Sequence, residues 1–190
     1  MLNDLLKSCR SFRSFDPEER IDRELLLKFI DNARITAATR NLQPLKYRVV
    51  TDAEELARCN PHLKFAASLG IKLPPDGHEP TSLIVMCHDT DITPFNQIYL
   101  KDIGICGEVI LLSAIEAGYG GCMIGSYNAE ALAAELGLSE NLMINLVIAL
   151  GKPDEVAVLT DAEGGNVKYY RDEKNVHYVP KRTLEDIIIK

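Results

Sequence analysis

A single domain of mixed α and β class is what the sequence predicts, and three observations carry that prediction. Four segments with strand composition alternate with segments of helical spacing along the 190 residues. Hydrophobic residues make up 46% of the chain and charged residues 26%, enough apolar material for one substantial core and too much for a disordered chain. The doubly wound dinucleotide fold is rejected, because G-x-G-x-x-G is absent and the glycine-rich "GYGGCMIG" follows a helix where that fingerprint follows a strand.

The elements follow in order. "NDLLKSCRSF" reads as a short helix with Asn3 as N-cap, running into a segment that holds Arg10 and Arg13. "DRELLLKFIDNARIT" spaces Leu25, Leu26, Phe29, Ile30 and Ala33 as one helical face, with Asp22 placed to cap it. "LKYRVVT" alternates Leu45, Tyr47 and Val49 as a half-buried strand, and "DAEELARC" is a short amphipathic helix entered through Asp52. "GIKLPPDGHEPT" is loop, either a cover for a pocket or a plain surface connection. "SLIVMCHD" is a central apolar strand. The longest helix spans Asp102–Ala117 and stops at Gly118. Gly104 and Gly107 each cost it roughly 1 kcal/mol relative to Ala, which suits either a close helix neighbour or a flat ligand. "GGCMIG" is strand or loop, "NAEALAAELGL" a helix capped by Asn128, and "NLMINLVIALGKP" the last internal strand. Residues 154–190 are polar, basic in the centre and too poor in apolar residues for a core of their own, so they are expected to lie on another surface. The Ile187-Ile188-Ile189 run reads as an edge strand or docking segment.

The formal charge of −7 argues against a nucleic-acid binder. The N-terminal "MLNDLLKSCR" holds no long apolar run, so neither a signal peptide nor a membrane span is expected there, and the chain reads as cytoplasmic. Five scattered cysteines and four dispersed histidines show no zinc spacing, so the cysteines read as reduced thiols and no metal is expected. Against this background "CRSFRSFD" stands out. Arg10 and Arg13 sit three residues apart with Ser11 between them and no carboxylate inside the run. They are either ordinary solvated arginines or an anion site, since the guanidinium fork matches phosphate oxygens.

Further stretches bear on that choice. "AATRNLQPLKYRVV" joins a helix to a strand through Asn41, Gln43 and Pro44, and "KDIGICGEVILLSAIEAGYGGCMIGSYN" is a long helix, a glycine-rich end and an "IGSY" turn. Together with "RSFRSF" and the strand ending "GKP", these stretches resemble the nitroreductase family, whose pattern runs R-R-S-x-R-x-F, N-x-Q-P-W, D-x-G with L-L-L-A-A, W-I-G-G and G-x-P. The five matches occur in the family's order across nearly the whole chain.

The resemblance implies an α+β fold: a three-layer α/β/α sandwich with a mixed, mostly antiparallel central sheet, and a C-terminal extension at 154–190 exchanged with the partner of a homodimer. It implies an FMN enzyme with NADH or NADPH as co-substrate, working by a ping-pong route to a small acceptor such as a nitroaromatic, a quinone or an activated alkene. A non-catalytic flavin-binding or flavin-sequestering protein of the same fold is the alternative. Carried over by residue, the resemblance puts Arg10, Ser11, Phe12 and Arg13 on the flavin, with Arg10 and Ser11 toward phosphate and ribityl oxygens and Arg13 toward N1 and the C2 carbonyl. Asn41 and Gln43 would reach the flavin or substrate pocket of the other subunit. Ile124, Gly125 and Ser126 would run beside the ring with a backbone N–H near N5, and Lys181 and Arg182 would hold the phosphate. It assigns no acid–base side chain. Four departures surround this pattern: Cys9 stands at its first arginine, Arg40 replaces a small residue, Leu45 an aromatic and Met123 a tryptophan.

Overall fold

Strand β5 (Leu142–Pro153) is the spine of the protein. The computed structural model describes residues 1–66 and 70–189. Along one edge β5 pairs antiparallel with β3 (Ser82–Asp89), which in turn pairs with β2 (Leu45–Val50). Its other edge is shared by β4 (Gly120–Ile124) and, at its C-terminal end, by the two-residue β1 (Phe15–Asp16), both antiparallel. A parallel bridge between Ser11 and Gly121 adds the mixed element.

Alternation along the strands produces three layers. Val49, Ile84, Met86, Leu146, Ile148 and Leu150 pack on one face with α2 (Arg23–Arg34) and α4 (Leu100–Glu116), through Leu26, Phe29, Ile103 and Ile110. Val50, Leu83, Val85, Cys87, Val147 and Ala149 pack on the other with α3 (Ala53–Cys59) and α5 (Ala129–Leu136), through Leu56, Cys59, Leu132 and Leu136. Both faces of β3 are covered, which is why "SLIVMCHD" is apolar throughout rather than alternating.

Local chemistry sets the boundaries. Asp52 and Asn128 accept from the backbone N–H three residues on, capping α3 and α5. Asp22 takes the N-cap place of α2 without a side-chain bond. Helix α1 (Leu2–Ser8) is capped by Met1, not Asn3, because it starts before the expected asparagine. The two glycines of α4 differ. A Cβ on Gly107 would meet Met123 and Leu146 at 3.0–3.1 Å, so this glycine lets the helix settle onto β4 and β5, whereas Gly104 faces open space.

The segment after Pro153 has secondary structure of its own. It forms its own three-stranded sheet, with β8 (His177–Lys181) between β6 (Ala157–Asp161), parallel to it, and the two-residue β7 (Tyr170–Arg171), antiparallel. The isoleucine run is not a strand: a short helix α6 (Leu184–Ile187) ends inside it, and Leu184 and Ile187 to Ile189 are exposed. The five cysteines are all buried free thiols, and no helix among the described residues is long and apolar enough to cross a membrane.

Candidate functional site

The Arg10–Arg13 segment lies along the start of β4. Phe12 N–H donates to the Gly121 carbonyl at 3.0 Å, and the segment is brought this close because β4 begins with two glycines. A Cβ on Gly120 would stand 2.6 Å from the Phe12 ring, and one on Gly121 would stand 2.3 Å from the Ala149 carbonyl. Phe12 is therefore a buried packing residue whose ring covers bare backbone. Ser11 and Arg13 stand beside the Cys122 thiol, which burial pushes up and which stays protonated.

Arg13 and Arg10 are placed differently. Arg13 donates from Nη1 to the Ser11 carbonyl at 3.1 Å and lies 6.0 Å from the Tyr169 ring centroid, at the outer limit for a cation–π contact. Its Nε is buried without a partner. Arg10 turns back to donate to the Leu6 carbonyl at 2.7 Å, at the negative end of α1, and its Nε is also buried without a partner. Beside it Cys9 is buried, and burial with the Glu108 charge pushes its thiol up to about 11. A neutral group thus fills the position where the family pattern has its first arginine.

Ile124, Gly125 and Ser126 continue the same β4 edge. Ile124 is buried, and Gly125 and Ser126 are exposed, with open space where a Gly125 Cβ would be. Gly125 lies about 13 Å along the strand from Gly121, at roughly 3.3 Å per residue. These seven predicted residues share one strand edge.

The other four are elsewhere in the chain. Asn41 and Gln43 lie in an exposed turn with left-handed backbone at Arg40, Asn41 and Gln43 (φ 53, 55 and 52). Gln43 Nε2 donates to the Asn41 carbonyl at 3.1 Å and to its Oδ1 at 3.2 Å. The turn is anchored from below by the buried Asp102 carboxylate, which accepts from Thr39 N–H at 2.9 Å and Thr39 Oγ1 at 2.8 Å. A cavity of about 60 Å³ lies beneath it, lined in part by Gln43, Leu45, Tyr47 and Cys106. Lys181 and Arg182 are exposed at the end of β8, roughly 13 Å along the strand from His177. The loop 70–80 is occupied elsewhere in this chain. It lines a separate cavity of about 680 Å³ against α3, and none of the predicted residues borders that cavity.

Sequence reasoning missed the residues that hold Arg13 from behind. Glu155 accepts from the Arg13 backbone N–H and from Arg171 Nη2, and the side chains of this ion pair are largely buried. His177 is 2% exposed, its ring 5.4 Å from that of Tyr169. Burial, and then the Arg171 and Arg13 charges, push its imidazole down to about 4. The only advance signal was the basic centre of the tail, since Glu155 lies 142 residues from Arg13.

A depressed histidine makes a signed prediction. The unfolded chain protonates His177 near 6.5 and the folded chain only near 4, so the unfolded state binds more protons between those values. Its contribution is full above pH 6.5 and declines as pH falls toward 4. The urea midpoint is expected to drop from pH 6.5 to 5, where most carboxylates remain ionised, and to drop less in His177→Gln. Equal slopes for both proteins would show that His177 is not held neutral.

The family description "Nitroreductase family" matches residues 6–70 and 82–152, stopping at the end of β5 and leaving out the tail sheet. A protein of Archaeoglobus fulgidus with the provisional name NADH dehydrogenase/NAD(P)H nitroreductase is 29% identical over 156 residues, covering 80% of this chain and 84% of its own. Among solved structures, a nitroreductase from Exiguobacterium sibiricum in complex with FMN superposes with TM-score 0.67 at 18% identity, over 82% of this chain and 89% of that one. A gut-bacterial enone reductase of fatty acid saturation superposes with TM-score 0.69 at 19% identity, over 86% and 93%. With the family pattern spanning both faces of the core and the whole β4 edge that carries Arg10 to Arg13, the chain belongs to the nitroreductase family.

Proposed function

We propose that this protein is an FMN-dependent oxidoreductase that takes hydride from NADH or NADPH and passes it to a small organic acceptor of the nitroaromatic, quinone or activated-alkene class. The observation that carries the reading is the β4 edge of a nitroreductase-family core, where Arg13 has a buried, unpartnered Nε beside backbone left bare by glycine. The FMN complex and the enone reductase among the relatives support the cofactor and the acceptor class.

The residues fit a flavin mononucleotide. Arg10 and Arg13 both have buried N–H groups without partners, which an anion would satisfy, and the open side of Gly125 leaves room for a flat ring. When bound, the flavin would supply two-electron, hydride-transfer chemistry. The chain supplies binding, orientation and field. Arg13 would face N1 and the C2 oxygen, where its charge favours the reduced, anionic form. Arg10 and Ser11 would take phosphate and ribityl oxygens, and the backbone of Ile124–Ser126 would lie beside N5.

A homodimer completes the site in this reading. Asn41 and Gln43 would reach the partner's flavin, and Lys181 and Arg182 would hold an FMN phosphate. Leu6 on α1 and Leu100 and Ile105 on α4 are exposed apolar residues suited to be covered by a second copy.

Two substitutions test the assignment. Arg10→Ala is expected to weaken FMN retention ten- to a hundredfold, as loss of a charge-assisted contact of about 1.5–3 kcal/mol would. Arg13→Ala is expected to reduce the preference for reduced over oxidised FMN about tenfold, or about 30 mV for a two-electron couple. Dissociation constants and dye-equilibrated potentials measure both, and equal effects of the two changes on both quantities would remove the assignment. Bleaching of the yellow protein by NAD(P)H without oxygen is the expected sign of an enzyme; a flavin that stays oxidised would instead support sequestration.

A further inference from the structure

We propose that Glu155 and Arg171 are positioning residues for Arg13: Glu155 clamps its main chain, and Arg171 takes up the carboxylate's charge so that the Arg13 guanidinium stays uncancelled. This rests on reading Arg13 as the cation beside the flavin, and it extends that reading to two residues of the tail, outside the matched family core.

The geometry divides the carboxylate's work. One Glu155 oxygen accepts from the Arg13 backbone N–H, and the other accepts from Arg171 Nη2. The Glu155 side chain is 2% exposed and that of Arg171 is 9% exposed, so the charges interact through a medium that screens them poorly. Arg171 is itself fixed by donating from Nη1 to Asn175 Oδ1 at 3.0 Å, within the turn that joins β7 to β8. The Arg13 guanidinium is set among neutral groups, the Ser11 carbonyl, the Tyr169 ring and the Cys122 thiol.

The combination solves a specific problem. A carboxylate is the strongest acceptor for a main-chain N–H, but an unpaired buried carboxylate is costly and would draw on the nearest cation. That cation would be Arg13, whose charge the flavin needs. With Arg171 paired to Glu155, the group keeps one positive charge in excess, and the neighbouring His177 stays neutral and adds none. The tail sheet thereby holds the cofactor arginine without neutralising it.

The test uses signs, which a purely structural role would not separate. In the full-length, FMN-loaded protein, Arg171→Gln leaves Glu155 uncompensated, and the preference for reduced over oxidised FMN is expected to fall about tenfold. Glu155→Gln retains an acceptor for Arg13 N–H while losing the negative charge, so the preference is expected to hold or rise. Arg171→Lys and the double change Glu155→Gln with Arg171→Gln are expected to restore it toward the original value, and they preserve the comparison if Arg171→Gln alone does not fold. A flavin-free readout accompanies these. The His177 imidazole, followed by NMR in the flavin-free protein, is expected to titrate at higher pH in Arg171→Gln, having lost one cation and gained an unpaired carboxylate. A loss of the same sign and size in Arg171→Gln and Glu155→Gln, or no change in the His177 titration, would overturn the proposal. Should His177 shift as expected while Arg13→Ala leaves the flavin preference untouched, the charge pairing stands and the placement of Arg13 beside the flavin falls.

Discussion

Gly121→Ala is expected to destabilise the fold by about 3 kcal/mol, near the upper end for inserting one methyl group into a packed site. The added Cβ would stand 2.3 Å from the Ala149 carbonyl oxygen, 2.7 Å from Leu150 Cδ2 and 3.0 Å from Leu111 Cδ2. Side chains can rotate away, but a main-chain carbonyl cannot, because Ala149 lies directly opposite Cys122 in the β4–β5 ladder. The strand itself must move. Since the Gly121 carbonyl accepts from Phe12 N–H and Ser11 bridges to Gly121, that movement reaches the segment holding Arg10 and Arg13, and FMN retention should fall with stability. Gly125→Ala is the control. Open space receives its Cβ, so the stability change should stay within about 0.5 kcal/mol even if flavin binding alters. Urea midpoints of both variants, with flavin absorbance after dialysis, make the comparison; a Gly121→Ala midpoint indistinguishable from that of Gly125→Ala would refute the close-approach argument.

How much of this was legible in the sequence follows the range of the interactions involved. Helices and strands of the core declared themselves through short-range periodicity: Leu26, Phe29 and Ala33 do bury one face of α2, and Asp52 and Asn128 do cap the helices they precede. Even so, a cap depends on where the helix starts, and α1 begins too early for Asn3. Gly104 and Gly107 look equivalent in sequence and are not, because only Gly107 faces the sheet. The internal structure of the tail is not visible in its sequence for a physical reason. Its strands are short, β6 pairs parallel with β8, and a largely buried Glu155–Arg171 pair and a buried His177 stand inside it, so it shows none of the apolar periodicity that marks the core strands. In the site, Arg10 and Arg13 were legible as cations with no carboxylate inside their run. That the partner of the Arg13 main chain is Glu155, far along the chain, required the fold.

Deleting residues 176–190 is expected to reduce FMN affinity at least tenfold and to weaken dimer association in the same protein. The first effect does not depend on Lys181 and Arg182 alone. Strand β8 stands between β6 and β7, so its removal unpairs both, and it takes away His177 beside Arg171 and Tyr169. The clamp on Arg13 then hangs on a frayed segment. The second effect comes from α6 and the residues after it: Leu184 is 69% exposed, Ile187 and Ile188 are 59% exposed and Ile189 is 97% exposed. Covering each on a partner would contribute roughly 1–2 kcal/mol, and obligate interfaces gather many such residues. Replacing both Lys181 and Arg182 with Ala separates the two routes, because it keeps the tail sheet and removes only the cations. If those cations hold the phosphate, FMN retention falls in that variant while the urea midpoint does not. Sedimentation velocity read at the flavin absorbance reports assembly and cofactor content together. A truncated protein that sediments as a dimer and remains yellow would mean that the tail neither wraps the partner nor supports Arg13, and that the Arg10 segment and β4 edge retain the flavin unaided.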